Sequence, residues 1–235
     1  MNKLLTTVAA FSVAMMSLAG TANSMEFKVG VGGVSSAYYA NVQEKLKDSG
    51  RKSNTEAAAA FSYMNGFAEV AFDEAMGITV GLEYSPESIK LNKATRIIHG
   101  SDGSAGARTG EDANLGEQVI EAAFKDLLNV YVAMPIMGSG LHVKAGYTTT
   151  KITTKETLAT GSTYGNKTVS GGTIGLYFDG ELGSNVFYRL EGAYQGFEEI
   201  KMNGSEEGVT DSGSFNEITA ELAGVQAKAS VGFKF

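Results

Sequence analysis

Apolar and polar residues alternate one for one through most of this chain. The last ten residues are the clearest case: Ala227, Ala229, Val231, Phe233 and Phe235 are apolar, and Gln226, Lys228, Ser230, Gly232 and Lys234 between them are polar or small. A period of two places successive side chains on opposite faces of a β-strand. The same alternation predicts eight strands, at about 25–40, 57–72, 78–90, 118–134, 141–154, 167–178, 186–200 and 216–235. In the third, Ile78, Val80, Leu82 and Tyr84 alternate with Thr79, Gly81, Glu83 and Ser85. Two stretches read less simply. Val119, Ile120, Ala123, Phe124, Leu127 and Leu128 fit a helical period as well as a strand, so 118–128 stays open between helix and strand. The phase of the last strand slips near Gly224, which predicts a bulge.

The connections alternate in length. Segments 73–77, 135–140 and 179–185 are short and turn-like. Segments 41–56, 86–117, 155–166 and 201–215 are longer and polar. Both ends of the strand array then lie on the short-turn side. A long strand with one apolar face and an unpaired edge invites aggregation in water. Pairing the first strand with the last removes the edge and lets the apolar face meet hydrocarbon. The predicted fold class is therefore all-β: a closed, eight-stranded, antiparallel, up-and-down transmembrane barrel. It fills one domain, 25–235. Ahead of it, Lys3 is the only charge before Glu26, residues 4–18 are largely apolar, and Ala22 and Ser24 are small. That pattern predicts a secretory signal peptide over 1–24, cleaved near Ser24. A membrane-spanning helix needs roughly 20 apolar residues, more than this run offers.

Composition narrows the chemistry. With no cysteine, disulfides, thiol catalysis and cysteine metal sites are excluded. With no Trp, an interfacial aromatic belt falls to Tyr and Phe; the outward residues Tyr84, Tyr147, Tyr188 and Tyr194 suit it. The formal net charge is −7 with no basic stripe, which argues against nucleic acid as a partner.

Charges on the inward phase are the first candidate site: Glu69, Glu83, Lys144, Arg189, Glu191 and Lys228. An eight-stranded barrel is just wide enough for its side chains to fill. Buried charges there must pair, so the set predicts a lumen salt-bridge network; a gated ion conduit is the sharper reading. His99, Ser101 and Asp102 are residue types used in nucleophilic hydrolysis. They stand too close together on a Gly-rich loop to hold a triad geometry, and His142 belongs at the opposite, short-turn end. Gly30, Gly32 and Gly33 resemble part of a nucleotide loop but lack the spacing and the following helix. No catalytic residue, cofactor site or metal site is predicted.

The alternating strands, the signal-like leader and the terminal run from Val231 to Phe235 make the chain resemble small outer-membrane barrels of the OmpA/OmpX type. The resemblance implies that Val231, Phe233 and Phe235 form the C-terminal signal read by the barrel-assembly machinery. It implies a place in a bacterial outer membrane, with membrane lipid and lipopolysaccharide as surroundings. No peptidoglycan-binding domain follows the barrel, which points to the barrel-only members. The function expected is non-enzymatic, structural or surface-interacting, through four long extracellular loops whose ligand is not legible. A narrow pore is the alternative, and a lipid-modifying enzyme the second.

Overall fold

A computed structural model describes residues 25–45, 52–72, 77–86, 89–99, 114–136, 139–157, 163–205 and 217–235. The expected signal peptide, and Ser101 and Asp102, lie outside the described residues. Within the described segments the chain forms β1 (Met25–Lys45), β2 (Lys52–Phe72), β3 (Ile78–Ser85), β4 (Ile89–His99), β5 (Asn114–Pro135), β6 (Leu141–Thr157), β7 (Thr163–Tyr164), β8 (Lys167–Glu181), β9 (Val186–Phe197), β10 (Ile200–Ser205) and β11 (Glu217–Lys234).

Eight of these strands close a ring in the order β1–β2–β3–β5–β6–β8–β9–β11, and β11 returns to β1. All pairings around it are antiparallel. The closing seam runs unbroken from Lys28 opposite Lys234 to Lys45 opposite Glu217. Through the zone where all eight strands pair, the ring has no free edge.

The strands β4, β7 and β10 extend the ring beyond its long-loop end. β4 pairs only with the early part of β5, β10 with the early part of β11, and β7 with β10. Segments that read as polar loops in sequence are thus partly strand. The first loop is short: β1 and β2 pair as far as Lys45 opposite Lys52, so 46–51 connect them in place of the expected 41–56.

Residues 118–128 are strand, and the helix reading falls. Their helical appearance comes from a break in phase. The register between β5 and β6 shifts between Lys125 and Leu128, and Asp126 takes φ +55°. A bulge moves later residues to the opposite face, so two strand phases joined there mimic a longer period. The bulge expected near Gly224 is absent, since β11 keeps register with both neighbours through that point. What changes there is the chemistry of the inward face. Leu222 and Ala220 pack on an apolar cluster inside the barrel, while Gln226 and Lys228 enter a polar layer.

The barrel is apolar outside and polar through much of its interior. Every ring strand exposes large apolar side chains, among them Val31, Met64, Val80, Val132, Val143, Leu176, Leu190 and Val231. No helix among the described residues is long and apolar enough to cross a membrane, which says nothing of the strands.

Candidate functional site

The lumen is filled in layers. Nearest the short turns, Arg189 from β9 holds two carboxylates at once. Its two terminal nitrogens donate to Glu69 Oε2 and Oε1 at 2.8 and 2.6 Å, and its Nε and one terminal nitrogen donate to Asp179 Oδ1 and Oδ2 at 2.6 and 2.8 Å. Such fork geometry suits the planar guanidinium and is among the stronger pairings available to a protein. Lys28 Nζ reaches Asp179 at 3.2 Å, and the Tyr131 hydroxyl donates to Glu69 at 2.5 Å. The Arg189 guanidinium also lies 3.8 Å from the centre of the Tyr177 ring.

Above it sits a closed quartet. Lys144 Nζ lies 2.7 Å from Glu83 and 2.9 Å from Glu191; Lys228 Nζ lies 2.9 Å from the same Glu83 and 3.0 Å from the same Glu191. Each lysine therefore bridges both glutamates, and the square has no net charge. Asn129 Nδ2 donates to Glu83 at 3.0 Å, and Lys144 lies 4.1 Å from the centre of the Tyr131 ring. All four charged residues are buried, Lys144 completely. Two ions of each sign at these distances offset the heavy cost of taking a charge from water, provided the remaining donors and acceptors are met.

A third layer carries amides and hydroxyls. Gln195 Nε2 donates to Thr148 at 2.8 Å, Thr148 and Thr173 lie 2.7 Å apart, and Gln226 Nε2 donates to the Tyr38 hydroxyl at 2.7 Å and to Gln195 Oε1 at 3.0 Å. The Tyr38 hydroxyl donates to the same Gln195 oxygen. Toward the long-loop end an apolar cluster follows, built on Val34, Tyr38, Tyr63, Ile89, Phe124, Leu127, Ile152, Val169 and Ile200. Its rings interlock: Tyr38 stacks on Phe61 at 5.4 Å between centroids and meets Phe124 edge-on at 5.6 Å.

Glycine makes room for the large inward residues. A Cβ on Gly81, directly opposite Tyr131, would come within 2.2 Å of that ring.

The six inward charges singled out in the sequence thus divide between two networks, Glu69 and Arg189 in one, Glu83, Lys144, Glu191 and Lys228 in the other. Sequence reasoning left out Lys28, Asp179, Tyr131 and the polar layer of Gln195 and Gln226. Asp179 had a usable signal, since it stands opposite Arg189 across the hairpin joining β8 and β9. Outside, Tyr147 and Tyr194 are exposed; Tyr84 donates to Asp126 at 2.9 Å, and Tyr188 lies over Gly180 close to a short turn. Val231, Phe233 and Phe235 point outward from the seam and are exposed. His142 stacks on Tyr177 at the short-turn end, 4.5 Å between centroids, while His99 ends β4 opposite Asn114. Among the described residues no three His, Asp or Glu side chains converge as a metal site.

No protein-family model and no curated protein matches the sequence. Solved structures similar to this chain include the outer membrane protein OprG from Pseudomonas aeruginosa, at 13% identity over 90% of this chain and 96% of that one, TM-score 0.44. The outer membrane protein AlkL gives 12% identity over 91% of each chain, TM-score 0.47. The outer membrane protease OmpT from Escherichia coli gives 12% identity over 92% and 98%, TM-score 0.44. At these identities and scores the activity of this chain is left to its own residues.

Proposed function

We propose that the chain is a non-enzymatic barrel of a bacterial outer membrane whose lumen is a sealed core and whose working surface is its outer face and long-loop end. The apolar belt supports the membrane reading. Apolar residues exposed on all eight ring strands far exceed what a soluble monomer leaves in water, and a closed barrel is one of two backbone arrangements hydrocarbon tolerates. The observation that carries the sealed-core reading is the quartet of Lys144, Lys228, Glu83 and Glu191 lying beneath an interlocked aromatic cluster. An ion entering from the short-turn end meets charges already neutralised by one another, and one entering from the long-loop end meets packed aromatic rings before any charge.

Planar-bilayer recording on the purified barrel tests this. Insertion without discrete current steps is the expected result. Stable unitary conductance would replace the sealed core with the narrow pore. For the enzymatic reading, lipid hydrolysis or acyl transfer by the purified barrel, lost on His99→Ala, would overturn the non-enzymatic assignment.

A further inference from the structure

Beside the quartet the pairing inside the barrel is incomplete. A cavity of about 20 Å³ lies between the quartet and the amide layer, with Tyr63, Asn65, Glu83, Gln226 and Lys228 in its wall. Asn65 comes inward from β2 and is only 4% exposed, yet its Oδ1 has no hydrogen-bond partner among the described residues. Buried polar atoms are almost always paired, so this oxygen calls for a donor. The two lysines of the quartet also differ. Both share Glu83 and Glu191, which take two of the three protons of each ammonium. Lys144 also lies against the Tyr131 ring, 4.1 Å from its centre, whereas Lys228 lines the cavity. The Tyr63 hydroxyl accepts from Gln226 Nε2 at 3.2 Å and carries a proton of its own.

We propose that this cavity is a binding site for a single water molecule, which donates to Asn65 Oδ1 and accepts from Lys228 Nζ and the Tyr63 hydroxyl. Size and chemistry both select it. A cavity needs at least about 10–15 Å³ to hold a water, and about 20 Å³ is room for one. The occupant must donate and accept at once. A metal cation offers no acceptor to Lys228 and stands against its ammonium. An anion has no proton for Asn65 and meets the carboxylate of Glu83. Water does both, and the three bonds named are the usual number for a buried one. The inference rests on the sealed-core reading and deepens it. The quartet closes one side of the site and the aromatic cluster the other, so the water is a fixed part of the packing, joining the charged layer to Asn65, and not a link in a channel.

The test uses the barrel folded in detergent micelles. Oxygen-17 magnetic relaxation dispersion, which counts long-lived internal waters, is compared between wild type and Asn65→Leu, whose bulkier side chain enters the cavity and has no acceptor. The variant should hold about one such water fewer. Equal counts in two folded barrels overturn the proposal. Heat-modifiable electrophoretic mobility checks folding. A second measurement needs the wild type alone, should Asn65→Leu not fold: magnetisation transfer from water to the Asn65 side-chain amide. A held water gives laboratory-frame and rotating-frame cross-peaks of opposite sign, the expected result. No transfer, or peaks of the same sign, overturns the site. Unitary conductance of the wild type in planar bilayers sinks the sealed-core reading, whereas a non-conducting barrel without this water sinks the site alone.

Discussion

Phe27 and Phe235 exchange both of their backbone hydrogen bonds, Phe27 N–H to Phe235 C=O at 3.1 Å and Phe235 N–H to Phe27 C=O at 2.9 Å. The last residue of the chain is therefore a rung of the closing seam, not a tail beyond it. Deleting Phe235 removes both bonds at the short-turn end, where β1 and β11 meet. Each is worth about 0.5–1.5 kcal/mol net, so a loss of roughly 1–3 kcal/mol is expected in urea unfolding from lipid vesicles. Phe235→Ala keeps the backbone and should lose less. Equal losses for deletion and substitution would assign the effect to the ring alone.

The quartet predicts an asymmetry between breaking and replacing charges. Glu83→Ala leaves Lys144 and Lys228 with Glu191 as their one shared carboxylate, in a site where Lys144 is wholly buried. Removal of one partner from a buried pair typically costs about 3–5 kcal/mol. The fourfold change Glu83→Gln, Glu191→Gln, Lys144→Met, Lys228→Met removes all the ions together and should cost clearly less than Glu83→Ala. A fourfold variant less stable than the single one would show that the ions contribute attraction beyond mutual neutralisation.

Gly81 and Tyr131 form a complementary pair across β3 and β5. Gly81→Val drives a side chain into the Tyr131 ring, which has Lys144 4.1 Å from its centre and is held at its hydroxyl by Glu69. Overpacking of this kind costs about 1–3 kcal/mol or more. Adding Tyr131→Ala to Gly81→Val should recover part of the loss, as a double-mutant cycle on the folded fraction would reveal. Additive losses would place the clash elsewhere.

The bulge in β5 depends on Asp126, held at φ +55° and accepting a hydrogen bond from Tyr84. A β-branched residue in that conformation is strained, so Asp126→Val should destabilise the barrel by about 1–3 kcal/mol. Asp126→Asn keeps both an acceptor and tolerance of positive φ, and should stay near wild type. If Asp126→Val were neutral, the backbone would have to relax to the ordinary strand region and shift the register of β5 against β6, which amide exchange at Leu128 and Thr149 would report.

The strand alternation and the alternating connection lengths determined the closed ring, its up-and-down order and most of the inward side chains, because a period of two is a local property and an edge-free sheet is the one way to satisfy it in hydrocarbon. Glu69, Glu83, Lys144, Arg189, Glu191 and Lys228 all fall on the inward phase for that reason. Who pairs with whom was not local. Arg189 meets Glu69 from 120 positions away and Lys228 meets Glu83 from 145, separations fixed by how the ring closes and at what stagger. The same holds for the stretch left open and for the one misread. At Lys125 to Leu128 a bulge imitates a helix, since periodicity does not distinguish a turn of helix from a change of face. Near Gly224 a steady strand imitates a bulge, because the lumen it faces turns from polar to apolar, and that boundary exists only once side chains from all eight strands share one interior.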